Sequence, residues 1–580
     1  MPKLDFVIST VALSLLVASA ASAQARAISG NPEDSVPDLV GLWKATRHLG
    51  PEVRGLLLVD HPGTQWRASI AGRTVAARVV KDAISFTLPD SSGSFVGRFD
   101  RRGRVTGQWF QKRDWAQPLT LVSCGSGCLS GQVIPIDDEY TFYMKVTRRP
   151  DGSLGAFLRN PERNLGVFFP VDHIETAGST IKLLDKKGES VLTGEVKDDA
   201  IVVFIGNRGG SYDFRRIPDG SFTYFYPRGH PTAPYTYVRP PAQNDGWQVG
   251  TLSEAGMSER KISDFVQQLV NAPIDSLGTL YLHGLLIARH GKLVLEEYFH
   301  GENGEKPHDT RSAAKSALSV TIGAAALKGV NISPETRVYQ VMRPDARGLD
   351  PRQQALTLEN LLNMASGLDC DDNGDEHPGN EDNMWQQDNR DWYSVILNLK
   401  MIRNPGDTAI YCSINPHLAG GVLSRIARRS LPDLMWDLVG EPLQMRNYYM
   451  LLTPGGDGYM GGGMRFRPRD FMKLGQLYVD GGMWNGKRVV SADWVKRTTA
   501  PRYQMARLRK YGYLWWMIDY PYKADTVHAY FASGNGGNEV VVIPALDMVI
   551  AVYGGNYNER AGWAMVMDLI PKFLLPAIER

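Results

Sequence analysis

The sequence predicts a two-part protein: an all-β sandwich or barrel, then an α/β domain whose antiparallel sheet is flanked by helices and carries an inserted helical subdomain. Three observations carry this expectation. From 36 to 237, short apolar runs such as GLLLVDH, AISFTL and AIVVFIG are punctuated by Gly, Asp, Asn and Pro, with no helix-period segment between them. From 227 to 245, PRGHPTAPYTYVRPPAQND carries five prolines, the composition of a boundary. Beyond it, apolar strand-like runs lie at both ends of the remaining chain, with helical and loop-rich sequence between them. The expected domains are 24–239, β-rich and without a readable role, and 240–580.

Composition bounds the function. The chain has 580 residues, 43% hydrophobic and 22% charged, and its 64 Lys and Arg against 62 Asp and Glu leave a net charge of +2. That balance is not the signature of a disordered chain, and it supplies no basic field for nucleic acid. Residues 1–23 read as a secretory signal peptide: Lys3 near the start, an apolar run, then Ala21-Ser22-Ala23 before Gln24. The run is short for a membrane span, no later stretch is long and apolar enough for one, and the mature protein is expected in the periplasm or outside the cell. Export permits disulfides. Cys124 and Cys128 in CGSGC can close a small ring; a metal site there lacks a second pair of ligands.

In the second part, 258–272 reads as a helix, GLLIARHGKLVLEEYF from 284 as a hairpin, and 312–328 as a helix apolar nearly all round. The runs YGYLWWMI, VHAYFAS, EVVVIP and MVIAVYG are strands, and 561–574 is a closing amphipathic helix. Strands from both ends would share one sheet.

The chemistry centres on Ser312-Ala-Ala-Lys315. Residues three apart at a helix start share a face, so the hydroxyl and the amine are neighbours. A Lys among Ala, Ser and apolar residues is expected to be partly desolvated, which favours the neutral amine that can take the Ser proton. S-x-x-K also occurs at Ser179, in the β-rich part, and at Ser258, which precedes Glu259-Arg260-Lys261 and reads as a helix cap. Only Ser312 opens a helix apolar enough to be buried. A second element, Tyr411-Cys412-Ser413, puts a phenol and a hydroxyl on one loop. A third, Ala532-Ser533-Gly534-Asn535, enters a Gly-rich strand end whose N–H groups can serve an oxyanion. The chain contains no G-x-S-x-G and no H-E-x-x-H. The acidic stretch 369–382 lacks the ligand order of a calcium loop and reads as a solvated loop near the cleft, with His377 at its surface. Trp515 and Trp516 read as core rather than as a substrate platform.

In this order, S-x-x-K, Y-x-S and a small-residue strand ending in Gly resemble the serine β-lactamase and penicillin-binding-protein superfamily. Its class C β-lactamases, carboxylesterases and 6-aminohexanoate-dimer hydrolases are the most similar branches. LTLENLLNMASGLD, RPRDFMKLGQLYVDGGMWNGK and ASGNGGNEVVVIPALDMVIAVYGG support the resemblance, which runs from about 246 to 580 and leaves the β-rich part uncovered. It implies the β-lactamase/transpeptidase-like fold, Ser312 as acylated nucleophile, Lys315 as its base and Tyr411 as proton relay. It further implies that Ser413 contacts substrate or Lys315, that Ser533 and Gly534 line the substrate strand, and that the backbone N–H groups of Ser312 and Asn535 form the oxyanion hole. No metal or cofactor is implied. One departure is Ala532, where the family often has Lys or His for a substrate carboxylate; Arg465 or another cation could fill that space from elsewhere.

The expected activity is hydrolysis of an ester or amide of a small molecule or short peptide. The alternatives are action on β-lactams or cell-wall peptides, and a binding or regulatory protein that keeps the fold without turnover. With Cys412 inside the Y-x-S loop and Cys370 after a helix that in this family ends near the active site, a Cys370–Cys412 disulfide is expected, with two buried thiols as the alternative.

Overall fold

The computed structural model describes residues 38–49, 53–112, 114–136, 139–162, 169–229, 233–274 and 278–579. The expected signal peptide lies outside the described residues.

The β-rich part contains two eight-stranded antiparallel barrels rather than the one predicted. The first closes Gly41–His48 onto both Glu139–Arg148 and Gly210–Arg216. The second is inserted after the first strand of the first: its strands run from Gly55–Asp60 to Cys128–Val133 and close because the last pairs with both Gly55–Asp60 and Trp115–Gly125. Each barrel fills its interior with its own alternating side chains. In Gly55–Asp60, Leu57 and Val59 are buried while Leu56 and Leu58 face outward. Cys124 and Cys128 form a disulfide across the turn between the last two strands of the inserted barrel.

The second part is built on a nine-stranded sheet that takes strands from both ends of this region, as expected: Leu282–Arg289 lies between Lys292–Tyr298 and Met548–Gly554. Strand alternation gives the sheet two apolar faces. Leu286, Val540 and Val542 lie on the face covered by helix Pro468–Val479, whose Gly475 sits against Val540 and Val542, whereas Leu285, Val541 and Ile550 pack toward Glu259–Val270 and the closing segment. That closing segment, Met565–Leu574, coils more widely than an α-helix and contains Pro571; a proline there removes a hydrogen-bond donor and clashes with the preceding turn. The proline-rich boundary is packed down rather than loose, since Tyr235 Oη donates to Glu297 at 2.6 Å and Tyr237 Oη to the Val294 carbonyl at 2.8 Å.

The two parts share a seam of backbone pairing. Ala116 and Trp115 of the inserted barrel pair with Met450 and Leu451. The strand Tyr448–Leu451 pairs in turn with Met464–Phe466, and that with His308–Asp309, just ahead of Ser312. The first barrel reaches the same place through side chains. His283 Nε2 donates to the Pro161 carbonyl at 2.6 Å, and His283 Nδ1 accepts from His308 Nε2 at 2.7 Å. Burial, reinforced by His308, holds the His283 imidazole neutral, its pKa pushed down to about 3. A cavity of about 60 Å³ at this seam is lined by Glu139 and Glu162 from the barrel and by Lys306, Asp309, Arg465 and Tyr557.

Glu539 is the conspicuous buried acid. It lies opposite Ser533 with 1% of its surface exposed, and neither carboxylate oxygen has a hydrogen-bond partner among the described residues. Desolvation pushes its pKa from 4.5 up to about 8, against the pull of Arg509. Between those two values the native state keeps a proton that the unfolded chain has lost, so this residue makes stability fall as pH rises from about 4.5 to about 8. Glu539→Gln keeps the shape and removes that dependence. In thermal melts the variant should match wild type near pH 5 and exceed it increasingly toward pH 9, by about 2–4 kcal/mol. A difference that does not change with pH would contradict this.

Candidate active site

Ser312 sits in one tight turn, Arg311–Ala314, that runs directly into helix Lys315–Leu327. Arg311 takes the left-handed conformation, φ 48°, unusual for a residue with a side chain. Its guanidinium is held by Asp309 at 3.2 Å and lies over the Tyr557 ring. This sharp bend lets the extended segment His308–Asp309 deliver Ser312 to the helix start. The helix is small and apolar, and residues 315–325 are buried.

Lys315 is 1% exposed. Its Nζ donates to Ser312 Oγ at 2.8 Å and to the Gly461 carbonyl, and lies 5.0 Å from the centre of the Tyr411 ring. Ser312, Lys315 and Tyr411 are therefore brought together. The Tyr411 ring is stacked on Trp516, with centroids 5.7 Å apart, and meets Tyr511 edge-on. The expectation for the two tryptophans divides: Trp515 is core, at 0% exposure, but Trp516 is a wall of the site.

Ser413 is placed differently from the expectation. It precedes helix Ile414–Ala427, and its N–H and Oγ both donate to one oxygen of Asp372, at 2.8 and 2.7 Å. Oγ also lies 3.3 Å from Glu381 Oε2. Asp372 N–H donates to the Tyr411 carbonyl at 3.0 Å. Burial raises the Asp372 carboxyl to about 6, opposed by Lys315 and reinforced by Glu381. Glu381 also accepts from Tyr459 Oη. The acidic stretch is thus not simply a solvated loop: Asp372 and Glu381 turn inward onto the Tyr411–Ser413 segment, while His377 pairs with Asp369 at 2.7 Å. Cys370 and Cys412 are joined, as expected, tying this stretch to that segment a second time.

The strand Asp525–Gly534 ends against the Arg311–Ala314 turn. A Cβ on Gly534 would stand 2.1 Å from the Thr310 carbonyl oxygen and 3.0 Å from Ala313 N, so only glycine permits this approach. Ala532 packs in the core on the side of helix Lys315–Leu327. Ser533, 5% exposed, falls by strand alternation on the opposite face, and its Oγ has no partner among the described residues. Asn535 is exposed, its side chain paired with Asn558. Arg465 lies over the Trp115 ring of the inserted barrel, and Arg509 over the rings of Trp516 and Trp563. The other S-x-x-K serines lie elsewhere: Ser258 precedes helix Glu259–Val270, and Ser179 sits at a barrel turn near Glu195. No group of three or more His, Cys, Asp or Glu among the described residues is arranged to hold a metal ion.

A hydroxyl beside a buried amine, with a phenol ring against that amine, is the arrangement of a nucleophile with an adjacent base. Known proteins resemble this part of the chain. Residues 281–554 match the family model described as Beta-lactamase. A 6-aminohexanoate-dimer hydrolase of Paenarthrobacter ureafaciens is 24% identical over 230 residues, 37% of this chain and 56% of the relative, so the chain spans little more than half of its length. Among solved structures, a family VIII carboxylesterase gives a TM-score of 0.41 at 16% identity, covering 54% of this chain and 94% of its own. A penicillin-binding protein of Bacillus halodurans gives 0.40 at 13% identity, covering 50% and 96%. Residues 281–554 form a domain of the serine β-lactamase and penicillin-binding-protein superfamily.

The contact at Gly534 is directly testable. Gly534→Ala must part the strand from the Arg311–Ala314 turn, and misplacement by about 1 Å can cost about 100-fold in rate. The variant should react about 100-fold more slowly with a fluorophosphonate probe at Ser312. Labelling at the wild-type rate would show that the approach is not required.

Proposed function

We propose that this β-lactamase-superfamily domain is a serine hydrolase that cleaves an ester or amide of a small molecule or short peptide through an acyl-enzyme on Ser312. The observation that carries the reading is the 2.8 Å bond between Ser312 Oγ and the buried Lys315 Nζ. In this reading Lys315 takes the hydroxyl proton as Oγ attacks the carbonyl carbon, and Tyr411 passes the proton on to the leaving group. The N–H groups of Ser312 and Asn535 receive the developing oxyanion, with Ser533 and Gly534 on the strand that leads to it. The reading invokes no metal or cofactor. The relative named for hydrolysing 6-aminohexanoate dimer supports a linear amide within reach of the site. Ala532 disfavours β-lactams, whose carboxylate would want a cation there. The two disulfides support an exported protein, periplasmic or secreted.

Ser312→Ala should abolish covalent labelling and lower kcat by about three orders of magnitude or more, while Ser258→Ala stays near wild type. Equal loss in both folded variants would refute the assignment. In the wild type, kcat/KM for a short-chain nitrophenyl ester should exceed that for a cephalosporin, and Ala532→Lys should narrow the gap by about one to two orders of magnitude. Efficient cephalosporin turnover by the wild type would overturn the substrate class.

Lys315 and Tyr411 act on one proton in this scheme, so their losses should not add. Lys315→Ala, Tyr411→Phe and the double variant should fall to similar kcat values, as expected for groups that work as a unit. Fully additive losses in the logarithm of kcat would dismiss the shared relay.

A further inference from the structure

We infer that Asp372 is a positioning residue that holds Tyr411 and Ser413 in register with Lys315, an inference that rests on the proposed roles of Ser312, Lys315 and Tyr411. Asp372 grips the loop on both sides of Cys412. Its N–H donates to the Tyr411 carbonyl at 3.0 Å, and its carboxylate accepts from Ser413 N–H at 2.8 Å and from Ser413 Oγ at 2.7 Å. These bonds fix the backbone before and after the disulfide-bound Cys412, so the phenol is left with little more than its own side-chain torsions.

The same carboxylate stands at the N-terminus of helix Ile414–Ala427, where a negative charge is favoured. The ionisable groups facing it are Lys315 on its helix, Glu381 at the end of the same acidic stretch, and Tyr459, which donates to Glu381. Arg311 adds its charge from beside Glu381. A neutral acceptor could satisfy the Ser413 donors, but less strongly than the carboxylate does. Asp372 thereby fixes the place of the phenol beside the amine.

Burial raises the Asp372 carboxyl to about 6, so acidification weakens the grip within an accessible range. The wild type should then show an acid limb in kcat/KM near pH 6.

The experiment compares Asp372→Ala, Asp372→Asn and, as a control outside the grip, Asp369→Asn, using probe labelling of Ser312 and ester turnover across pH. Asp372→Ala should lower kcat by about 30- to 100-fold with KM within about twofold of wild type, as expected for lost positioning rather than lost binding. Asp372→Asn, which keeps an acceptor, should recover about a third to a tenth of wild-type kcat but lose the acid limb. Asp369→Asn should keep both rate and profile. A wild-type labelling rate in Asp372→Ala, or an unchanged acid limb in Asp372→Asn, would overturn the inference while leaving the acyl-enzyme reading intact. A wild type that is not labelled at Ser312 would overturn both.

Discussion

A buried amine is the constraint around which the catalytic half is arranged. Lys315 is nearly inaccessible, and a polar group in that position is costly unless its hydrogens find acceptors. The acceptors come from distant parts of the chain. Ser312 is one turn away, but Gly461 precedes the strand Met464–Phe466, and the Tyr411 ring arrives on a loop held by the acidic stretch. Satisfying Lys315 therefore demands that helix Lys315–Leu327, the strand hairpin and the Tyr411 loop meet at one point. The central sheet supplies the fourth wall, with Gly534 allowing its end to touch the Arg311–Ala314 turn.

The N-terminal part belongs to the same construction. Its inserted barrel continues the ladder that runs through Tyr448–Leu451 and Met464–Phe466 to His308–Asp309, and the first barrel hydrogen-bonds to His283 behind that strand. Asp309 and Arg311, which set the bend before Ser312, thus rest on a platform formed partly by residues far earlier in the chain. Rigid elements of this kind are what hold reactive groups in place.

The sequence made the catalytic half legible because its signals are local. Two residues on one helix face, two on one loop and a Gly at a strand end are each short patterns, and their surroundings are strongly apolar. The two barrels were not separable in this way, because alternation looks the same in both and nothing short-range says that the strand after 139 returns to Gly41–His48. Asp372 and Glu381 were hidden for a related reason. They lie in a run rich in Asp, Glu and Asn, which reads as solvated, and their partner Ser413 is 41 and 32 residues further along. Ser413 itself has the right residue type for contacting substrate, yet in the structure its hydroxyl is taken up by carboxylates. Trp516 shares an apolar run with the core residue Trp515 and differs from it only in the face on which it falls.

The strand Trp115–Gly125 carries a consequence for how such a protein is made. One edge of it serves two owners: residues near Gly125 close the barrel against Cys128–Val133, while Trp115 and Ala116 bind the hairpin of the catalytic half. In the exported protein proposed above, the barrel emerges across the membrane before that hairpin does, and domains form as they emerge. The start of that strand then keeps an open pairing edge until residues 448–466 arrive. It also means that the catalytic half, expressed alone, would present an unpaired hairpin edge of the kind that pairs with whatever strand is nearest.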